Sequence, residues 1–75
     1  MIKMRIRIFV QRPNTASHRV YDSINEYENP YKKILENAAK HNAAIIFFSE
    51  NSYELDYTDA GLKFTVIANV LSEES

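Results

Sequence analysis

The only glycine of the chain, Gly61, stands between two runs of alternating apolar residues, and no other feature constrains the fold as tightly. Before it, Tyr53, Leu55 and Tyr57 fall on one side of an extended chain. After it, Leu62, Phe64, Val66, Ala68 and Val70 do the same. A period of two is the mark of strands with one buried face, and a glycine between two such runs supplies the positive φ of a hairpin turn. Placing both apolar sets on one face sets Tyr57 opposite Leu62, Leu55 opposite Phe64 and Tyr53 opposite Val66, with a four-residue loop at 58–61. Asp56 then faces Lys63 on the other side, a cross-strand pair of opposite charge.

The N-terminal segment repeats the alternation. Ile2, Met4, Ile6, Ile8 and Val10 point one way and Lys3, Arg5, Arg7, Phe9 and Gln11 the other. The strand ends at Arg12-Pro13-Asn14, where Pro cannot donate to a ladder and Asn suits a turn. Ala43 to Ser49 is apolar on both faces and reads as a central strand. Residues 30–41 predict a helix, capped by Asn29, with Pro30 at its first position and Tyr31, Ile34, Leu35, Ala38 and Ala39 as its apolar stripe. Residues 15–28 are ambiguous. Ser23 to Glu26 fits a capping box and Val20, Ile24 and Tyr27 are spaced for a helix face, which favours a short first helix broken before Pro30. The rival is a strand at 17–22 paired with the first.

These elements predict a small α+β domain, with a four-stranded antiparallel or mixed sheet, one main helix on one face and the order β-α-β-β-β. The first strand and the strand from 43 are expected as parallel neighbours, or one strand apart, across a right-handed crossover. At 75 residues there is room for one core, assigned to 1–70, with 71–75 as a frayed acidic tail. Without cysteine no disulfide supplements so small a core, so association, expected as a homodimer, is the remaining support. The longest apolar run, Ala43 to Phe48, is far short of the roughly 18–20 residues of a membrane span, and Lys3, Arg5 and Arg7 interrupt any secretory signal. The expected location is the cytoplasm.

Charge is polarised along the chain. Lys3, Arg5, Arg7, Arg12 and Arg19 give the first 21 residues +5, and the remainder carries −6. Such asymmetry marks a polyanion site or a basic strand paired with acidic neighbours in its own sheet. Chemistry is sparse. Catalysis needs a base beside a nucleophile and a group to orient it, and His18 and His41 have no such company in sequence. One glycine builds no nucleotide loop, and Glu50, Glu54, Asp56 and Asp59 do not form a close oxygen cage. No enzyme activity, cofactor or metal site is expected.

By elimination the expected function is noncatalytic protein binding, as a small inhibitor or regulatory subunit. The Ile, Asn, Lys and Tyr richness fits an AT-rich genome and a phage or mobile element acting on a host enzyme. The alternative is nucleic-acid binding through the basic N-terminal strand. A third class is a minimal nuclease or hydrolase around His18 and Arg19. The candidate contact residues are Lys3, Arg5, Arg7, Phe9, Arg12, His18, Arg19, Tyr21 and Tyr27, which combine charge for phosphates or acids with aromatic area.

Overall fold

The computed structural model describes residues 1–73. Its elements are β1 (Ile2–Gln11), β2 (His18–Tyr27), α1 (Pro30–His41), β3 (Ala44–Phe48), β4 (Ser52–Asp59) and β5 (Leu62–Glu73). The strands form one five-stranded sheet in the order β2-β1-β5-β4-β3, antiparallel throughout. The α+β class matches the expectation; the strand count and several placements do not.

The extra strand is β2. Residues 18–27 pair with β1 along its whole length, from Gln11 opposite His18 to Ile2 opposite Tyr27. The short helix expected here is therefore a strand, longer than the rival reading placed it. Local pairing wins because Pro30 bars the helix pattern from continuing into α1, and a helix of two turns is too short to hold itself. The turn at 12–17 supplies what a hairpin needs. Asn14 has φ 61°, in the left-handed region that Asn tolerates, and the Thr15 hydroxyl donates to the Arg12 carbonyl at 3.4 Å.

The β4–β5 hairpin keeps the expected faces and shifts the register by two. Tyr57 lies opposite Phe64, Leu55 opposite Val66, Tyr53 opposite Ala68 and Asp59 opposite Leu62, so Ala60 and Gly61 alone form the loop. Both have positive φ, 52° and 78°, as a two-residue turn of type I′ requires. The primed turn matches the right-handed twist of the strands. An even shift moves no side chain to the other face, which is why the apolar sets were assigned correctly. Asp56 faces Thr65 and Ala44 rather than Lys63, and its Oδ1 is buried without a partner among the described residues.

β3 is not central. It lies at the free edge opposite to β2, with β5 and β4 between it and β1. The antiparallel ladders make β2 and β3 run in the same direction, so α1 is a crossover joining the two edges of the sheet. The sheet centre belongs to β5, which pairs with β1 from Lys63 to Glu73, with a bulge at Leu71, and with β4 from Leu62 to Asn69. β5 extends to Glu73, so 71–73, expected in the tail, lie in a strand; 74 and 75 fall outside the described residues.

The helix starts and stops as its sequence dictates. The Asn29 side chain accepts from the Lys32 N–H at 3.2 Å, Pro30 occupies the first turn, and Asn42 closes the end in a left-handed conformation. Ile34 and Ala38 are buried against Met4, Tyr53, Leu55 and Ala68 to form the core. Leu35 and Ala39, read as part of the stripe, are exposed. A single helix about 10 Å wide cannot roof five strands spaced about 4.8 Å apart. It covers the centre and leaves an open groove of about 320 Å³ on the β1 side, floored by Ile6, Ile8 and Val66 and edged by Lys33, Asn37 and His41.

Candidate functional site

The strand register divides the nine candidate residues between the two faces of the sheet. Lys3, Arg5, Arg7, Phe9 and His18 lie on the face away from α1, because they alternate with the buried Met4 and its neighbours or oppose residues that do. Arg19, Tyr21 and Tyr27 oppose Val10, Ile8 and Ile2 and so lie on the helix side. Arg12 sits in the turn. The set is not one site.

On the open face the basic residues of β1 have acidic neighbours. Arg7 Nη2 donates to Asp22 Oδ2 at 2.9 Å, and Lys3 stands opposite Glu26. The hydrogen bond from Arg7 holds the Asp22 carboxyl below its ordinary pKa; burial opposes it, and the charges of Arg7 and Arg5 add to the lowering. Both partners are nearly half exposed, so the pair does little for stability. Glu54, opposite Ile67, and Asp56, opposite Thr65, continue the acidic component across the same face. Phe9 and Ile67 lie there half-buried, and Phe47, opposite Glu54, stands exposed at the edge. The face is a mosaic of both signs and scattered apolar groups.

Four of the nine residues do converge. At the free end of the β1–β2 hairpin, Arg12, His18, Arg19 and Tyr21 surround a shallow hollow of about 400 Å³ whose remaining lining is Val10, Ser17 and Leu62. The hairpin creates it by bringing residue 12 back beside 17–21. No carboxylate lies within ion-pairing distance of Arg12 or Arg19 among the described residues, which contrasts with Arg7. Guanidinium groups without a carboxylate partner are the side chains best suited to accept carboxylates or phosphates in bidentate fashion, and Tyr21, about half exposed, adds apolar area beside them. Tyr27, half-buried at the far end of β2, packs against the core and belongs to neither group.

The sequence reading passed over a second surface. Of the large apolar side chains left exposed, Leu35, Ile45, Ile46, Phe47 and Phe48 belong to β3 and the adjoining flank of α1. Tyr31, one turn before Leu35, contacts Phe48 and Tyr53 at ring-centroid distances of 6.1 and 5.6 Å, which fixes that flank of the helix above β3. An apolar run without alternation is the pattern of a central strand and equally of an edge strand that meets a partner. Sequence alone does not separate them.

His41 stacks on Tyr57 at 4.5 Å and Tyr57 on Phe64 at 4.9 Å, so that three rings step from the helix end to β5. Burial raises the Tyr57 pKa, with the Asp59 charge adding to it. Among the described residues no three His, Cys, Asp or Glu side chains are grouped so as to hold a metal ion, and no helix is long and apolar enough to cross a membrane. Compared with protein-family models, curated proteins and solved structures, the chain finds no match in any of the three.

Proposed function

We propose that this chain is a noncatalytic protein-binding module, a small inhibitor or regulatory subunit, that docks through the free end of the β1–β2 hairpin onto an acidic and partly apolar surface of another protein. The observation that carries this reading is the hollow where Arg12, His18, Arg19 and Tyr21 meet with no carboxylate paired to either arginine. The remainder of β2 supports it. From 18 to 26 every residue is exposed, so the chain devotes a long strand to a surface its own core does not use. Val20, Tyr21 and Ile24 are about half exposed along it.

Nucleic-acid binding by the basic face of β1 has less support. Its charges alternate with Asp22, Glu26, Glu54 and Asp56, and only Phe9 is placed for stacking. The test is capture from a lysate of the source cell with the tagged chain, with and without nuclease, beside the double variant Arg12→Glu, Arg19→Glu. One stoichiometric protein that survives nuclease and is lost with the double variant supports docking. Capture that disappears with nuclease moves the function to nucleic acid, and capture indifferent to the double variant removes the hollow as the docking site.

A further inference from the structure

We propose that the free edge of β3 pairs antiparallel with β3 of a second copy, joining two five-stranded sheets into one. This surface lies at the opposite edge from the hairpin hollow, and the inference goes beyond the docking reading without depending on it.

The two edges of the sheet differ in kind. An edge strand presents unpaired N–H and C=O groups, and monomeric proteins guard such edges with charge, proline or cover. β2 carries Arg19, Asp22 and Glu26. β3, with the sequence Ala-Ile-Ile-Phe-Phe, carries none of these, and its outer side has no strand partner among the described residues. Ile45, Ile46, Phe47 and Phe48 are 46–55% exposed, and Leu35 on the helix flank above them 48%. So uniform an apolar edge is the edge that a protein covers.

A second copy fits it in charge, face and area. The charges flanking β3 in sequence are Lys40, before it at the end of α1, and Glu50, after it; Glu54 and Asp56 lie on the inner side, on β4. Antiparallel pairing brings the Lys40 end of one strand to the Glu50 end of the other, whereas parallel pairing sets like beside like. The faces also match. The irregularity between Ile45 and Phe47 places Ile45 opposite Leu55 and Phe48 opposite Tyr53, so both belong to the helix side. A two-fold axis between Ile46 and Phe47 then sets each Ile45 against the other copy's Phe48, roofed by Leu35 from both helices. A two-fold interface must be self-complementary in this way. Phe47 and Phe48, about half exposed, offer roughly 100 Å² each, and with the half-exposed Ile45, Ile46 and Leu35 the patch offers at most on the order of 500 Å² per copy. The pair therefore buries at most about 1,000 Å² before backbone and flanking residues are added, near the lower end of about 1,200 Å² for specific interfaces. Area alone does not fix affinity, but interfaces at this small end of the range belong to weak associations, for which a dissociation constant in the micromolar range is expected.

The test is the solution mass of the full chain by sedimentation equilibrium at ~1–500 µM, a span that brackets a micromolar dissociation constant. The mass should rise from 8.7 kDa to twice that value. Ile46→Lys puts a charge on the outer edge at a side chain the core does not use, and should hold the mass at the monomer value with an unchanged circular dichroism spectrum. Ile24→Lys, on β2, should leave the dimer intact. Amide exchange on the wild type gives a readout independent of any variant: β3 N–H groups should gain protection as concentration rises while β2 does not. A wild type that stays monomeric at the top of the range overturns the proposal. So does a dimer that persists in Ile46→Lys or protects β2 instead. None of these outcomes alters the lysate test of the hairpin hollow.

Discussion

Replacing Tyr53 with Phe should stabilise this protein, against the usual sign for loss of a buried hydroxyl. Tyr53 is 1% exposed, and its hydroxyl has no hydrogen-bond partner among the described residues. The Tyr31 hydroxyl is close enough to help disfavour the tyrosinate, but it donates to the Glu50 carbonyl at 2.7 Å and does not reach Tyr53 in hydrogen-bonding geometry. An unsatisfied buried donor costs about 1–3 kcal/mol. The ring contacts with Phe48 at 5.0 Å and Tyr31 at 5.6 Å remain in Tyr53→Phe. Allowing for the lost contacts of the hydroxyl oxygen, the gain at pH 7 is about 1 kcal/mol, or roughly 4–8 °C in melting temperature for a domain of this size. The same hydroxyl predicts a pH dependence. Burial, with Tyr31 adding to it, pushes its pKa from 10.0 up to about 12. Between those values the unfolded chain has released the proton and the folded one still holds it, so stability falls as pH rises and is fully present only below pH 10. From pH 7 to 11 the wild type should lose about 1.4 kcal/mol that the Phe variant keeps, about 1 kcal/mol of it between pH 10 and 11. Urea unfolding of both proteins at pH 7, 10 and 11 reads the whole prediction. A variant less stable than wild type at pH 7, with the gap constant up to pH 11, would show that the hydroxyl is bonded in the folded state.

Three further outcomes follow from local geometry. Ala60→Asn puts a residue that accepts φ near 52° at the first turn position and should raise stability by about 0.5–1 kcal/mol, while Gly61→Ala should lose about 1–2 kcal/mol through backbone strain alone, since no atom lies within 4 Å of the added Cβ; thermal melts of the two should move in opposite directions. Asn29→Ala removes the acceptor for the Lys32 N–H and should cost about 1 kcal/mol, read as a lower urea midpoint with unchanged slope. Leu55→Ala empties a position 4% exposed under α1 and should cost about 2–5 kcal/mol, a large part of the total for so small a core, leaving a substantial unfolded fraction in the amide spectrum at 37 °C.

What was legible in the sequence follows from periodicity. The apolar residues of β1, β4 and β5 alternate in sequence and turn one set, Met4, Tyr53, Leu55 and Ala68 among them, into the core, and α1 is bounded by Asn29, Pro30 and Asn42, each of which acts locally. Residues 18–27 were harder because Val20, Ile24 and Tyr27 satisfy a helical spacing while lying in a strand exposed on both faces, where burial imposes no alternation. The edge placement of β3 was hidden for the opposite reason: its apolar residues show that both faces avoid water, not what covers them. For the candidate site, the turn at 12–17 decides which residues meet. Arg12, His18, Arg19 and Tyr21 converge because that turn brings the chain back on itself, while Lys3 and Arg5, equal to them in sequence terms, are carried along β1 away from the turn, opposite Glu26 and Ile24.

The position of β5 at the centre of the sheet has a consequence for how the chain reaches its native state. β5 follows in sequence every strand it joins, and its ladder with β1 connects residues about sixty positions apart, from Gln11 with Lys63 to Ile2 with Glu73. The β1–β2 hairpin can form early from local contacts, and so can α1. Neither has its central neighbour until β5 has been synthesised and inserted. During that interval β1 and β4 each present an open edge where β5 will lie, and Met4, Ile6 and Leu55 lack the strand that completes their cover. Closure of a long loop before any reward makes such a step slow, and on a translating ribosome it comes after all the others. Mutations that slow β5 docking should therefore lower the yield of folded chain by exposing those edges to one another, even where the finished protein is as stable as before.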